Sequence, residues 1–314
     1  MALQSRDKKT VAQIIEEKRS SRQLGTIVEK SMPKFFLTCA IVSILTTLGI
    51  VFTLAFETFT FFNQISILEF ITSREWYPMH TNPSFGILPL IVGTLKVTVI
   101  AMFIAIPIGL GSAIFLSEYA TDRTRRIIKP ILEVLAGIPT IVYGFFALTF
   151  VTPLLQKFIP SMGIFNALSP GIVVGIMIIP MIASLSEDAM SSVPRHIREG
   201  AYGIGSTKFE VAIKVVLPAA LSGVVASFVL GISRAIGETM IVTVAGGSNP
   251  IIAFDVTSAI QTMTAYIVQV SLGDAGYGTT VYYSIYAVGM TLFVFTLIMN
   301  LLAQYISKRF REEY

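Results

Sequence analysis

Six apolar runs, near 35–62, 87–117, 131–156, 170–190, 218–245 and 281–306, take up most of this chain. Each reaches the roughly 20 residues that a helix needs to cross a bilayer. In lipid, backbone groups must be satisfied within their own segment, so such runs are expected to be helices. Charged residues are only 13% of the 314 positions and hydrophobic ones 54%. The chain therefore reads as an all-α membrane protein with six transmembrane helices, not as one or two soluble domains.

Lys and Arg set the orientation. Segment 1–34 carries eight of them. Arg123, Arg125, Arg126 and Lys129 follow the second run; Arg195, Arg198, Lys208 and Lys214 follow the fourth; Lys308, Arg309 and Arg311 lie in the tail 307–314. The opposite side has only Arg74 and Lys157. The positive-inside rule then places both termini in the cytoplasm. The first 34 residues show no short apolar stretch with a small-residue cleavage site, so the 35–62 run is expected to remain as an anchor helix. Within 1–34, Val11, Ile14, Ile15, Leu24, Ile27 and Val28 form a loose helical stripe, which suits either an interfacial helix or a disordered leader.

Several function classes drop out. One cysteine, Cys39, allows no intrachain disulfide, and His80 and His196 stand apart without a cluster at ligand spacing, so no metal site is expected. The net charge of +4 contains no basic stripe with interleaved aromatics, which argues against nucleic-acid binding. No nucleophile–base pair is evident. No GxxxxGK[ST] loop is present, so ATP hydrolysis is not expected in this chain.

Two polar stretches interrupt the apolar pattern. The first, Glu199 to Pro218 within the loop 191–217, has Gly200, Gly203 and Gly205 in its first half. Its second half places Phe209, Ala212, Ile213 and Val216 on one side of a helix, and Pro218 is expected to open the next span. The second is Ser233 to Thr239. Arg234 and Glu238 are four apart and would share one face of a helix. A charge within a span costs at least a few kcal/mol, so it normally faces a cavity or a partner. The pair reads either as a self-neutralising salt bridge or as an oxyanion transit site, because the planar guanidinium donates two parallel hydrogen bonds. In an empty path the two are expected to pair, towards the external half of the span. Thr239 and Thr140 are candidate hydroxyl contacts. Pro139 lies within the third run and predicts a helix kink, either for packing or as a pore-lining bend.

Three further expectations concern the remaining segments. Lys96 lies near a span end and should snorkel to the interface. Trp76, Tyr77 and Pro78 read as an interface anchor or as a contact for a substrate-delivering protein. Val256, Ile260, Met263, Ile267 and Val270 repeat at helical spacing and suggest an external helix.

The pattern Glu199-Gly200-Ala201, then Gly205, then Leu217-Pro218 resembles the EAA loop of binding-protein-dependent ABC importer permeases, with Gly for the first Ala. Gly137 to Gly144, Arg234-Ala-Ile-Gly-Glu-Thr-Met240, and Trp76-Tyr77-Pro78 with Phe85 to Pro89 look like the C-type permeases of phosphate-specific (Pst) ABC importers. The resemblance covers about residues 76–306. It implies a type I importer permease fold over 87–306 in a bacterial or archaeal inner membrane. It also implies a sister permease, two ATPase subunits that bind ATP and Mg, an external phosphate-binding protein, and no cofactor in this chain. It carries over Arg234 and Glu238 as residues required for transport. Glu199, Gly200, Ala201, Gly205, Leu217 and Pro218 become the ATPase-docking segment. The competing readings are an importer of another oxyanion (sulfate, molybdate or phosphonate) and a non-transporting membrane sensor.

Overall fold

The computed structural model describes residues 11–273 and 275–309, with side chains described between 29 and 305 except at 274 and 303. The leader expected at 1–34 is thus described only from Val11, its stripe up to Val28 as backbone alone, and the last residues of the tail lie outside the described ones.

The first element, α1 (Val11–Phe62), is one helix of 52 residues with Pro33 inside it. It starts well before the apolar run at 35–62. Phe35, Phe36, Leu37, Leu45 and Phe52 are all exposed, as lipid-facing side chains are. The chain divides into two compact units, 1–56 and 57–314.

The second unit takes in the end of α1 from Glu57, then α2 (Ile67–Thr72) and a hairpin in which β1 (Trp76–Tyr77) pairs antiparallel with β2 (Ser84–Phe85). That short ladder departs from the all-α expectation. Then come α3 (Leu88–Ile114), which runs on through a π-helical turn at Phe115–Tyr119, and α4 (Asp122–Gly137). α5 (Thr140–Phe146) joins α6 (Thr152–Gln156) through a second π turn at Ala147–Val151. α7 (Leu168–Ser191) and α8 (Arg195–Gly203) follow. α9 (Lys208–Val211) joins α10 (Leu217–Ala219) through a third π turn at Ala212–Val216. The chain ends with α11 (Leu221–Ile236), α12 (Met240–Ala245), α13 (Met263–Leu272) and α14 (Thr280–Arg309).

Four helical stretches are long and apolar enough to cross a membrane: Glu29–Phe62, Leu88–Tyr119, Leu168–Ser191 and Thr280–Leu302. The expected third and fifth spans are each bent, by 86° between α4 and the Thr140–Gln156 arm and by 75° between Lys208–Ala219 and α11. The count reaches six only if each bent pair is one span. Pro139 does not kink a continuous helix. A proline disfavours helical geometry in the residue before it, and Ile138 is extended (ψ 129°), so α4 stops there and α5 starts afresh. Pro218 opens no new span either: the helix runs through it and turns two residues later at Ala220 (φ −91°, ψ 3°).

α3 threads three apolar clusters in turn. Leu90 packs with Phe61, Phe70, Trp76, Phe85 and Tyr266; Val97 to Ala105 pack with Val174, Ile178 and Ile241; Ala113 packs with Met190, Ala201 and Val216. In the first cluster Trp76 is 1% exposed and meets Tyr266 edge-to-face at 4.8 Å. Such aromatic pairs contribute about 0.5–1.5 kcal/mol beyond area burial. Trp76 is therefore core, not an interface anchor or a contact surface. The helical spacing from Val256 onward is realised only in α13. Residues 246–262 are instead an irregular segment tied down by Ala167 N–H to Val256 O (3.1 Å) and Ile260 N–H to Gly246 O (2.9 Å). Lys96 Nζ donates to Asp255 O at 2.9 Å, so it fixes this segment instead of reaching free solvent.

Candidate functional site: a charged cleft and an EAA-like loop

α11 lies against α7, with Ser227 and Ser186 hydroxyls 2.7 Å apart and Gly231 against Ile178 and Ile182. This register puts Arg234 level with the middle of α7, not towards one end. It lines a cleft of about 280 Å³ whose apolar walls include Leu132, Pro180, Met181 and Leu185. The Arg234 side chain is exposed there. Among the described residues its guanidinium makes no ion pair and no hydrogen bond.

The expected Arg234–Glu238 pair does not form. α11 ends at Ile236, and Gly237 caps it. The four-residue spacing therefore crosses a helix break. Glu238 is 7% exposed and turns to the next helix: its Oε1 accepts the N–H groups of Met240 (3.1 Å) and Ile241 (3.2 Å). A carboxylate at a helix N-terminus satisfies orphan donors and opposes the positive end of the helix dipole. Its own carbonyl accepts from Thr264 Oγ1 at 2.7 Å. Thr239, the residue before α12, donates its hydroxyl to Gly237 O at 3.1 Å. Thr140 is the half-buried first residue of α5. α5 packs tightly on α12: a Cβ added at Gly144 would lie 3.2 Å from Met240 O and from Ile241 Cα. Glu238 and Thr239 thus share the start of α12, and Arg234 lies beyond the break, in the cleft.

The second region is the loop that carries the EAA-like pattern. α8 ends in a Schellman motif: Ser206 N–H reaches Ala201 O (3.1 Å), and Gly205 N–H reaches Tyr202 O (2.9 Å). Gly205 adopts φ +92°, the left-handed region that only glycine enters at little cost. Thr207 then caps α9 in a box, accepting from Glu210 N–H (3.3 Å) while Glu210 Oε2 accepts from Thr207 N–H (3.1 Å). The Thr207 N–H, and then Lys214, hold the Glu210 carboxyl down at about 2. Its contribution is complete above the ordinary glutamate range and fades only as pH falls towards about 2. Glu199, Gly200 and Pro218 are exposed, Leu217 is half-buried and Ala201 is buried. Phe209 departs from the expected helix face: Ala212 and Val216 are buried, but Phe209 is 64% exposed and Ile204 86%. Both side chains are exposed apolar groups on this loop.

Three features were not read from the sequence. Thr207 with Glu210 is a legible S/T-x-x-E signature. The other two are long-range. Arg198 on α8 pairs with Glu118 at 3.2 Å and donates to Met190 O at 2.7 Å. Arg125 and Lys129 on α4 both meet Glu187 on α7, and Lys129 also meets Asp188 at 3.1 Å.

The family model described as "Binding-protein-dependent transport system inner membrane component" matches residues 105–312. The chain belongs to this family. It is similar to the "Probable ABC transporter permease protein YqgH" of Bacillus subtilis (strain 168), at 32% identity over 309 residues, 98% of this chain and 99% of the relative. It is also similar to the "Phosphate transport system permease protein PstC" of Mesorhizobium japonicum, at 35% identity over 261 residues, 77% of this chain and 78% of the relative. Among solved structures, a bacterial alginate ABC transporter bound to a pentasaccharide-loaded periplasmic protein matches with a TM-score of 0.63 and 16% identity, over 91% of this chain and 98% of that one. An inward-facing MetNI methionine transporter matches with a TM-score of 0.55 and 17% identity, over 72% and 98%. These structures show the fold alone. The chain is a multi-pass membrane permease of the ABC transporter family, and the likeness to Pst permeases read in its sequence holds.

In such a permease the loop's geometry has a consequence. Gly205→Leu would force a branched side chain into left-handed geometry at a cost of about 1–2 kcal/mol. An added Cβ meets nothing within 4 Å, so the cost is local to the turn. The protein should still insert, but ATP hydrolysis by the complex should no longer drive uptake. Parallel assays of ATPase rate and uptake check this; normal uptake would show that the turn is not needed for coupling.

Proposed function

We propose that this chain is a permease subunit of an ATP-driven inorganic phosphate importer of a bacterial or archaeal inner membrane. It would form the path with a sister permease, receive phosphate from an external binding protein, and dock two ATPase subunits through Glu199 to Pro218. Those subunits bind ATP and Mg; this chain holds no cofactor. Both termini and the docking loop would face the cytoplasm, as the Lys and Arg distribution indicates. The carrying observation is Arg234: an unpaired guanidinium in an apolar-walled cleft at mid-height of the bundle. A fixed cation in low dielectric attracts an oxyanion strongly, and its fork matches phosphate oxygens. The Pst relatives favour phosphate over sulfate or molybdate.

The test is uptake by the assembled complex in proteoliposomes, with labelled phosphate and with sulfate. ATP-dependent phosphate uptake is expected, lost in Arg234→Gln with assembly intact. Sulfate transport at the same rate, or phosphate uptake unchanged in Arg234→Gln, would overturn the reading. A cysteine at Ser161 should react with an impermeant external reagent in cells and one at Ser206 should not; the reverse pattern would overturn the orientation.

A further inference from the structure

Arg234 needs a counter-charge whenever its cleft holds no anion, because an isolated charge at mid-height of a membrane bundle costs several kcal/mol. The sequence suggests Glu238, but that carboxylate is occupied by the N–H groups of Met240 and Ile241. Lys129, in the same cleft, is held by Glu187 and Asp188 on α7. One carboxylate in the cleft is left: Glu133 on α4. It is exposed and, among the described residues, has no hydrogen bond or ion pair.

The position of Glu133 is built, not incidental. Lys129, Leu132, Glu133 and Ala136 all line the cleft, at the i, i+3, i+4, i+7 spacing of one helix face. α4 is held in that rotation one turn earlier by Arg125 and Lys129 on Glu187. The cleft therefore presents a free guanidinium on α11 and a free carboxylate on α4, separated by apolar walls from α7.

We propose that Glu133 is the counter-ion of Arg234: when the cleft narrows, the two pair, and the carboxylate displaces the transported oxyanion from the guanidinium. This rests on the reading of Arg234 as the transit cation. It adds that α4, an arm bent by 86° from its continuation, carries the residue that clears the site. Release follows from competition. A carboxylate and an oxyanion seek the same two donors, and like charge drives the second away. Among the described residues, Glu133 is the one carboxylate that lines this cleft.

A double-mutant cycle on the assembled complex tests it, using Glu133→Gln, Arg234→Gln and both together. Two readouts are taken: thermal unfolding in the resting and nucleotide-trapped states, and phosphate uptake. In the state with the narrowed cleft, each single variant should unfold earlier and the double variant should regain most of the loss, the non-additivity expected of partners in contact. Glu133→Gln should retain bound phosphate longer and slow uptake about tenfold or more, the scale of one lost ion-pair interaction. Glu133→Asp should restore part of the rate. Additive shifts in both states, or Glu133→Gln transporting at the parental rate, would overturn the pairing. The thermal cycle reads the pair whatever the cargo. A parental complex that moves no phosphate sinks the functional reading, and the thermal cycle still decides the pair.

Discussion

Replacing Glu187 with Leu is expected to destabilise the assembled permease by about 3 kcal/mol and to abolish uptake. Glu187 is 1% exposed near the end of α7 that leads into the Glu199–Pro218 loop. Its carboxylate meets the Arg125 guanidinium and lies 2.5 Å from Lys129 Nζ, and Ser191 donates to it at 2.9 Å. The Glu187 and Asp188 carboxylates hold the Lys129 ammonium above its ordinary range, with Glu187 the larger influence. Removing one member of a fully buried pair costs about 3–5 kcal/mol, because the partner charge stays behind uncompensated. Here the lower end applies: Arg125 and Lys129 are each about one third exposed, and water recovers part of the loss. Lys129 also keeps Asp188. Glu187→Leu with Arg125→Met should be more stable than Glu187→Leu alone. Unfolding titrations in mixed micelles check both. A Glu187→Leu protein as stable as the parent would mean that this network does not hold α4. The functional loss follows because α4 carries Glu133 and leads into the Pro139 break.

The same region shows what a single sequence conveys. Four spans were legible, because a continuous apolar run of helical length leaves one solution in lipid. Runs 131–156 and 218–245 are as apolar, but hydropathy is blind to direction. The 86° break at Pro139 had a local signal and was read as too mild. The 75° turn at Ala220 had a misleading one, since Pro218 sits within the helix. Trp76 was misplaced for a different reason. Phe85 faces it across the short hairpin, but Phe61 and Tyr266 come from α1 and α13, and only tertiary packing turns a tryptophan near an interface into core. The Schellman turn at Gly205 and the Thr207–Glu210 box are local and were legible in principle. The Arg198–Glu118 and Glu187 networks join residues 80 and 62 positions apart, which no spacing rule connects.

Glu238 is where that limit bears on mechanism. Four-residue spacing suggested a shared helix face with Arg234, and Gly237 breaks the helix between them. The carboxylate instead carries two tasks at the start of α12. It accepts two backbone N–H groups, and its charge opposes the positive end of α12. The two tasks separate by substitution. Glu238→Leu leaves both donors without an acceptor in a buried place, at about 1–3 kcal/mol each, so the variant should fail to assemble in normal amount. Glu238→Gln keeps an amide oxygen that can accept the same donors. It should insert and assemble, losing only the difference between a charge-assisted and a neutral hydrogen bond, about 1 kcal/mol. Its uptake should fall about tenfold or more only if the carboxylate's charge itself serves transport, since Glu238 does not line the Arg234 cleft. Raising the salt concentration should recover little of that rate, since a charge in a dry path is poorly screened. The measurement is uptake per assembled complex, with assembly quantified by co-purification of the partner subunits. If Glu238→Gln transports at the parental rate and only Glu238→Leu is defective, the carboxylate is a cap and nothing more. If Glu238→Leu assembles normally, the two N–H groups find another acceptor, and the break at Gly237 does not depend on this side chain.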